Sequence, residues 1–129
     1  MEATLSSEAA IRDLAETYCE GVHFARPEVF EAMCHDRFTM TEITEDGGEN
    51  AWDKAAYLER VRARRAFPGE VSREILDIDV AGDQIARVHL WVDVPPRRYE
   101  DHLGFVRTGG QWKLLTKVFR TMGPSAQNG

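Results

Sequence analysis

Hydrophobic and polar residues alternate through the last third of the chain, from Ile75 to Phe119. Three breaks interrupt this alternation, at Gly82-Asp83, at Pro95-Pro96 and at Gly109-Gly110. Short runs of period-two alternation between glycine and proline turns are typical of antiparallel strands joined by tight loops. The pattern therefore predicts a meander of four strands.

The lengths of the breaks predict which residues face each other across the meander. Two adjacent glycines suit a two-residue loop, because both positions then need a positive φ. We take four residues for the proline loop and three for the loop around Gly82-Asp83. The predicted pairs are Phe105 with Leu114, Leu103 with Thr116, Asp101 with Val118, Leu90 with Leu103, Val92 with Asp101, Ile78 with Val88 and Leu76 with Leu90. A slip of one residue would exchange the two faces of a strand. The agreement of these pairs with one another therefore supports the predicted register.

This register divides the side chains of the meander between two faces. The apolar face is predicted to carry Leu76, Ile78, Val80, Ala86, Val88, Leu90, Val92, Leu103, Phe105, Trp112, Leu114 and Val118. The opposite face is predicted to carry His89, Trp91, Asp93, His102, Leu115, Lys117 and Phe119. Asp101 also falls on the apolar face, where it is the only ionisable residue.

The position of Asp101 has two interpretations. A buried carboxylate without a partner is costly, so it usually has a partner or a raised pKa, and a raised pKa suits a general acid or base. The alternative is structural, because a carboxylate near a strand end often accepts backbone hydrogen bonds or pairs with an arginine.

The first half of the chain has the spacing of helices. Apolar residues recur at helical intervals after a cap at Ser6 or Ser7, at Ile11, Leu14, Ala15, Tyr18 and Val22. A second helix is predicted from Pro27 to near His35-Asp36, and a strand from Phe38 to Thr44. A third helix is predicted after an Asn50 cap whose hydrogen bond Asp53 returns, with Trp52, Ala56 and Val61 on its inward side.

The chain of 129 residues is expected to form a single domain, 1–129, with an ordered core at about residues 6–121. Met1 to Thr4 and Gly123 to Gly129 are expected to be disordered. The net charge of −6 argues against nucleic acid or an anionic membrane as a partner. Without an apolar segment long enough for a membrane span or a signal peptide, we expect a cytoplasmic protein. Cys19 and Cys34 are predicted to be buried free thiols.

Three segments of the meander carry a family resemblance: Tyr99 to Phe105, Gly110 to Leu114 and Lys117 to Phe119, supported by Ile78 to Ala86. They resemble the nuclear-transport-factor-2-like superfamily, which includes SnoaL-like and ketosteroid-isomerase-like proteins, and in particular its "putative lumazine-binding" branch. The resemblance implies an α+β fold, in which a strongly curved antiparallel sheet forms a cone covered by the N-terminal helices (a cystatin-like α+β barrel). It also implies a homodimer joined through the outer face of the sheet.

The resemblance and the predicted faces together give the candidate site residues. The catalytic candidates are Asp101, which matches the family's Asp-aromatic-Leu pattern with His102 in place of the aromatic residue, Tyr18, which matches a first-helix tyrosine by position, and His35. The ligand-binding candidates are Trp112, Thr116, Leu103, Phe105, Glu42 and Trp52. The dimer-interface candidates are Trp91, His89, His102, Leu115, Lys117 and Phe119. Tyr18 has a structural alternative as a hydrogen-bond partner of Asp101, and His35 has one as the cap of its helix.

Other motifs exclude some kinds of chemistry. The four histidines lack metal-ligand spacing, and no glycine-rich loop follows a strand, so we expect no metal and no cofactor. Two classes of function remain: a cofactor-independent isomerase, dehydratase, cyclase or hydrolase acting on a small hydrophobic molecule, and a non-catalytic ligand-binding or dimerisation module. The arginines from Arg60 to Arg65 are predicted to be a solvated helix end, with anion binding as the alternative.

Overall fold

A computed structural model describes residues 2–126, with side chains from residue 7 onward. It contains three helices and six strands in the described part of the chain. Their bounds, in chain order, are α1 Glu2–His23, α2 Pro27–Met33, β1 Cys34–Ile43, β2 Glu49–Asp53, α3 Lys54–Arg62, β3 Arg73–Ala81, β4 Ile85–Val94, β5 Arg97–Thr108 and β6 Gln111–Pro124. Of the residues predicted to be disordered, 2–4 lie in α1 and Gly123 and Pro124 lie in β6, whereas Met1 and residues 127–129 lie outside the described residues.

The strands form one curved sheet in the order β2-β1-β6-β5-β4-β3. All neighbouring strands are antiparallel except β1 and β6, which run parallel. The predicted α+β class, with a curved sheet covered by helices, is therefore confirmed. No helix in residues 2–126 is long and apolar enough to cross a membrane.

The helices cover the concave face of the sheet because each has a stripe of apolar residues. Ile11, Ala15 and Tyr18 of α1 are fully buried, as are Phe30 of α2 and Tyr57 of α3. The buried sheet residues opposite them include Phe38, Met40, Val88, Leu90, Val92, Leu103, Phe105 and Leu114. One apolar core therefore lies between the helices and the sheet.

Strand β2 and the start of α3 differ from the sequence prediction. Asn50 lies in β2, and the cap of α3 is Asp53, whose Oδ1 accepts a hydrogen bond from the Ala56 N–H at 2.9 Å. Trp52 also lies in β2, paired with Met40 of β1. Asp53, and not Asn50, caps the helix because the Asp53 carboxylate lies within hydrogen-bond distance of the first turn of α3.

Two of the three predicted loop lengths are confirmed. Gly109 and Gly110 form a two-residue turn with positive φ, and three residues separate Ala81 from its partner Ile85. The loop at Pro95-Pro96 has two residues, because Val94 pairs directly with Arg97. This shorter loop moves the predicted β4–β5 pairs by two residues and leaves their faces unchanged, so Leu90 faces Asp101.

Two bulges change the faces of residues that the uniform register had assigned. In β6, Phe105 faces Leu114 as predicted, but Gly104 faces Thr116 and Leu103 faces Lys117, so Leu115 is an extra residue. Lys117 and Phe119 therefore point into the core, and Thr116 and Val118 point out, opposite to the prediction. A similar bulge in β3 leaves Leu76 43% exposed, although it was placed on the apolar face.

Candidate functional site

A small cavity lies between α1, α3 and the concave face of the sheet. Its volume is about 40 Å³, enough for roughly three water molecules at about 10–15 Å³ each. The cavity is lined by Tyr18, Val22, Met40, Glu42, Arg60, Arg64, Val92, Val94, Tyr99, Asp101, Lys117 and Phe119. Five of these residues are Asp, Glu, Lys or Arg, so the cavity is a polar site inside an apolar core.

Asp101 lies at the centre of this site. It is fully buried on β5, and its Oδ2 accepts a hydrogen bond from the hydroxyl of Tyr18 on α1. Its Oδ1 is buried without a hydrogen-bond partner among the described residues. One carboxylate oxygen is thus oriented by Tyr18, and the other is a buried acceptor without a partner in a residue that lines the cavity.

Burial raises the pKa of Asp101 above its usual value of 3.8, because desolvation disfavours the charged carboxylate. The nearby Lys117 charge and the Tyr18 hydrogen bond lower that pKa and offset part of the effect. The pKa of Tyr18 is raised well above 10.0, first by burial and then by the negative charge of Asp101. Tyr18 is therefore a hydrogen-bond donor across the physiological pH range.

Lys117 brings a cation to the same site from β6. It is 6% exposed, and its Nζ donates a hydrogen bond to the Tyr57 hydroxyl at 3.4 Å. The Nζ also lies 5.1 Å from the ring centre of Tyr18 and 4.8 Å from that of Phe119, within the range of cation–π attraction. Burial lowers the pKa of Lys117 to about 8, although Asp101 acts to raise it.

Two arginines of the α3 region complete the wall of the cavity. Arg60 and Arg64 are four residues apart, and both line the cavity. The Arg60 guanidinium lies 4.5 Å from the ring centre of Trp52, and Arg64 has a buried Nη1 without a partner among the described residues. Arg62 instead pairs with Glu59 at the surface, so the predicted solvated cluster is divided between the cavity and solvent.

The structure brings three of the predicted catalytic and ligand-binding residues together: Asp101, Tyr18 and Glu42 all line the cavity. Trp52 does not line it but packs beneath Arg60. Leu103 and Phe105 are buried in the core deeper in the sheet, outside the cavity lining.

Three other candidates lie away from the cavity. His35 is at the start of β1, because α2 ends at Met33, and its Nδ1 accepts a hydrogen bond from the Arg37 N–H at 3.0 Å. Trp112 lies near the β5–β6 turn, with its ring centre 5.9 Å from the Arg107 guanidinium. Thr116 is exposed on the outer face because of the β6 bulge.

The predicted interface residues also divide between the cavity and the outer face of the sheet. Lys117 and Phe119 are buried and line the cavity, which corrects their placement on the outer face. His89, Trp91, Leu115 and His102 are partly buried or exposed, on the side of the sheet away from the helices.

Sequence reasoning missed Lys117, Tyr57, Arg60 and Arg64 as parts of the site. Tyr57, Val61 and Arg64 recur at helical spacing, so the inward direction of Arg64 was available from periodicity. The inward direction of Lys117 depends on the bulge, for which strand alternation gives no signal.

The family model described as "Putative lumazine-binding" matches residues 6–120. The chain belongs to this family. No curated protein matches the chain.

Solved structures with the same fold include members of several named groups. An NTF2-like protein of unknown function from Silicibacter pomeroyi is 22% identical, with a TM-score of 0.83 over 92% of this chain and 98% of that chain. A ketosteroid isomerase-like protein from Erwinia carotovora atroseptica is 15% identical, with a TM-score of 0.70 over 91% and 97%. A protein named as a putative scytalone dehydratase from Novosphingobium aromaticivorans is 17% identical, with a TM-score of 0.71 over 99% and 92%. These similarities establish an NTF2-like fold for this member of the "Putative lumazine-binding" family.

Proposed function

We propose that this chain is a small-molecule-binding cone domain that catalyses proton transfer without a cofactor, as isomerases, dehydratases, cyclases and some hydrolases do. The observation that carries the proposal is the buried Asp101, with one oxygen held by Tyr18 and the other unpartnered at the cavity. A carboxylate whose pKa is raised by burial is a stronger base than one in water, and such groups are frequent at catalytic sites. Two structural relatives named as isomerase-like and dehydratase support the same reaction classes.

Each member of the cluster has a role in this reaction. Asp101 removes a proton from a carbon next to a carbonyl group. The electron pair of the broken C–H bond forms a C=C bond, and the π pair of the C=O bond moves to the oxygen. The Lys117 ammonium group stabilises the resulting enolate, since a pKa of about 8 keeps it mostly charged at neutral pH. Asp101 then returns the proton to another carbon or to the leaving group. Tyr18 is a positioning residue that fixes the orientation of the carboxylate.

The two arginines favour a substrate that carries an anionic group. Arg60 and Arg64 line the cavity, and the unpartnered Nη1 of Arg64 is a donor with the geometry that carboxylates accept. A hydrophobic molecule would leave this donor without a partner, which is costly in a buried site. We therefore replace the expected hydrophobic substrate by a small oxo acid, whose carboxylate binds the arginines and whose acidic C–H faces Asp101.

The test measures exchange of carbon-bound hydrogen for deuterium by ¹H NMR in D₂O. The probes are small 2-oxo and 3-oxo carboxylic acids, each paired with a neutral ketone of similar size. We expect the wild-type protein to accelerate exchange of the acids, and Asp101→Asn to slow it by about 10²–10⁴-fold while the fold survives. Asp13→Asn, an exposed substitution on α1, is the matched control and is expected to leave the rate unchanged.

Two results would contradict the catalytic role. The first is the absence of accelerated exchange with every probe in the panel. The second is an NMR titration that gives Asp101 an ordinary pKa, because a well-hydrated carboxylate would lack the raised basicity on which the mechanism depends.

A non-catalytic ligand-binding or dimerisation module is the second candidate, and the size of the cavity favours it. A volume of about 40 Å³ is far below that of pockets that hold drug-sized ligands. In such a module the buried cluster would only fix the packing of α1, α3 and the sheet. Asp101→Asn would then leave ligand affinity and dimer formation nearly intact, and no probe would exchange.

A further inference from the structure

We propose that His89, Glu100 and His102 form a binding site for a divalent transition-metal ion, of which Zn²⁺ is the representative, on the outer face of the sheet. The site is separate from the cavity. It lies on β4 and β5, on the side of the sheet that the helices do not cover.

The sheet itself brings the three side chains together. His89 of β4 and His102 of β5 are direct cross-strand partners, and Glu100 lies two residues before His102, so all three point to the same side. The imidazole rings are stacked, with centroids 4.4 Å apart and an interplanar angle of 13°. One ligand atom from each residue lies within 4.8 Å of the other two.

These distances are close to those of a metal site. Ligand atoms about 2.0–2.1 Å from a tetrahedral Zn²⁺ lie about 3.3–3.5 Å from one another. Rotation of the two imidazole rings can bring the ligand atoms from within 4.8 Å to this separation. This rotation needs no change in the register of the strands. Two imidazoles and one carboxylate leave a fourth position for water, and this ligand set favours zinc and its first-row neighbours over magnesium or calcium.

Glu100 is already oriented for this role by its other oxygen. Arg120 of β6 donates to Glu100 Oε1 from Nε at 2.9 Å and approaches it with Nη2 at 2.8 Å. Glu100 Oε2 and His89 Nε2 lie 2.6 Å apart, in a hydrogen bond. A cation that binds between them would replace this hydrogen bond, and the two atoms would move slightly apart. A partner that holds the far oxygen of a ligating carboxylate fixes its direction and is a common feature of metal sites.

The histidine spacing of the sequence gave no sign of this site. His89 and His102 are far apart in the chain, and only the β4–β5 register makes them neighbours. Motifs such as HxH or HxxxH detect ligands on one element, and they miss a pair that spans two strands.

The experiment titrates the untagged full chain, freed of metal by chelator, with Zn²⁺ by calorimetry and with Co²⁺ by visible absorption. We expect one ion per chain, and tetrahedral Co²⁺ bands. His89→Gln and His102→Gln should each weaken binding by about tenfold or more, and Zn²⁺ should raise the melting temperature of the wild type by more than that of either variant. His35→Gln is the matched control, because this partly buried histidine of β1 lies outside the cluster.

Equal Zn²⁺ affinity in the wild type and in His102→Gln would overturn the proposal. His102 is exposed, so this variant is expected to fold, and circular dichroism checks that it does. Failure to bind Zn²⁺ or Co²⁺ at all would also overturn it, and would leave the cluster as a His–Glu–Arg hydrogen-bond network.

Discussion

Lys117 shows how much one buried residue can change the electrostatics of a site. Its ammonium group is enclosed by aromatic rings from α1, α3 and β6 and donates to a single hydroxyl, that of Tyr57. Desolvation is the largest influence on its pKa and lowers it, and it is also the largest influence on the pKa of Asp101, which it raises. Burial therefore moves the pKa of each group from its usual value in the direction of neutral pH, where a general acid or base works best.

The lowered pKa of Lys117 predicts a pH dependence of stability. In the unfolded chain this amine has its usual pKa of 10.5, and in the native protein its pKa is about 8. Between these values the unfolded chain binds a proton that the native protein does not, so this group makes the free energy of unfolding rise with pH. Relative to Lys117→Met, the wild type should gain about 2–3 kcal/mol between pH 8 and pH 10.5.

Urea denaturation between pH 8 and pH 10.5 measures the free energy of unfolding of the wild type and of Lys117→Met. Groups that titrate alike in both proteins do not contribute to the difference between them. Lys113→Met is the control, because Lys113 lies four residues earlier on β6 at the surface, where its Nζ donates to the Ala32 carbonyl at 2.8 Å. A constant difference between wild type and Lys117→Met at all pH values would show that the native amine titrates normally.

At the scale of elements, the sequence predicted most of what periodicity can encode. The α1 stripe, the four strands from β3 to β6 and the turn at Gly109-Gly110 all follow from residue spacing and turn chemistry. The β6 bulge does not, because the extra residue Leu115 sits in a run that alternates equally well in either register. That single residue decides whether Lys117 lies in the site or on the surface. Strand β2 was missed because its five residues lack an apolar alternation.

The contact between α1 and α2 depends on the absence of a side chain at Gly21. A Cβ at this position would lie 2.9 Å from Cε2 and Cζ of Phe30 and 3.0 Å from Cγ1 of Val29. Alanine is favoured over glycine in a helix by about 1 kcal/mol, whereas overpacking a rigid core costs about 1–3 kcal/mol. We expect Gly21→Ala to lower the free energy of unfolding by up to about 2 kcal/mol.

Chemical denaturation measures this change, with Thr17→Ala as the control on the exposed side of the same helix. The control should be neutral or slightly stabilising. If Gly21→Ala were stabilising as well, Phe30 would have to move freely, and the tight approach of the two helices would not be a constraint.

At the scale of the whole molecule, the two faces of the sheet have different surroundings. The helices cover the concave face, but the outer face keeps apolar side chains in contact with solvent. Ile43, Val118 and Met122 are each 43–46% exposed on the neighbouring strands β1 and β6. Exposed apolar groups mixed with charged ones are typical of a protein–protein interface. We therefore propose that two copies of the chain associate through this face.

Val118→Glu is expected to convert this dimer to a monomer, because it places a charge among the exposed apolar side chains of this face. Light scattering at micromolar concentration measures the mass, with and without Zn²⁺ because the proposed metal site lies on the same face. Ile85→Glu is the control, since Ile85 is 55% exposed near the β3–β4 turn. A monomer mass for the wild type would reject the interface.

The pairing of β1 with β6 joins the beginning of the fold to its end, as Met40 faces Lys117. Between them, the connection from α3 to β3 has no helix or strand. A cut in that connection would give two fragments, with Tyr18, Tyr57 and both cavity arginines on one and Asp101 and Lys117 on the other. Neither fragment would contain the phenol–carboxylate pair. The site therefore reports fragment complementation, because it is complete only when two separately produced fragments associate and re-form the sheet.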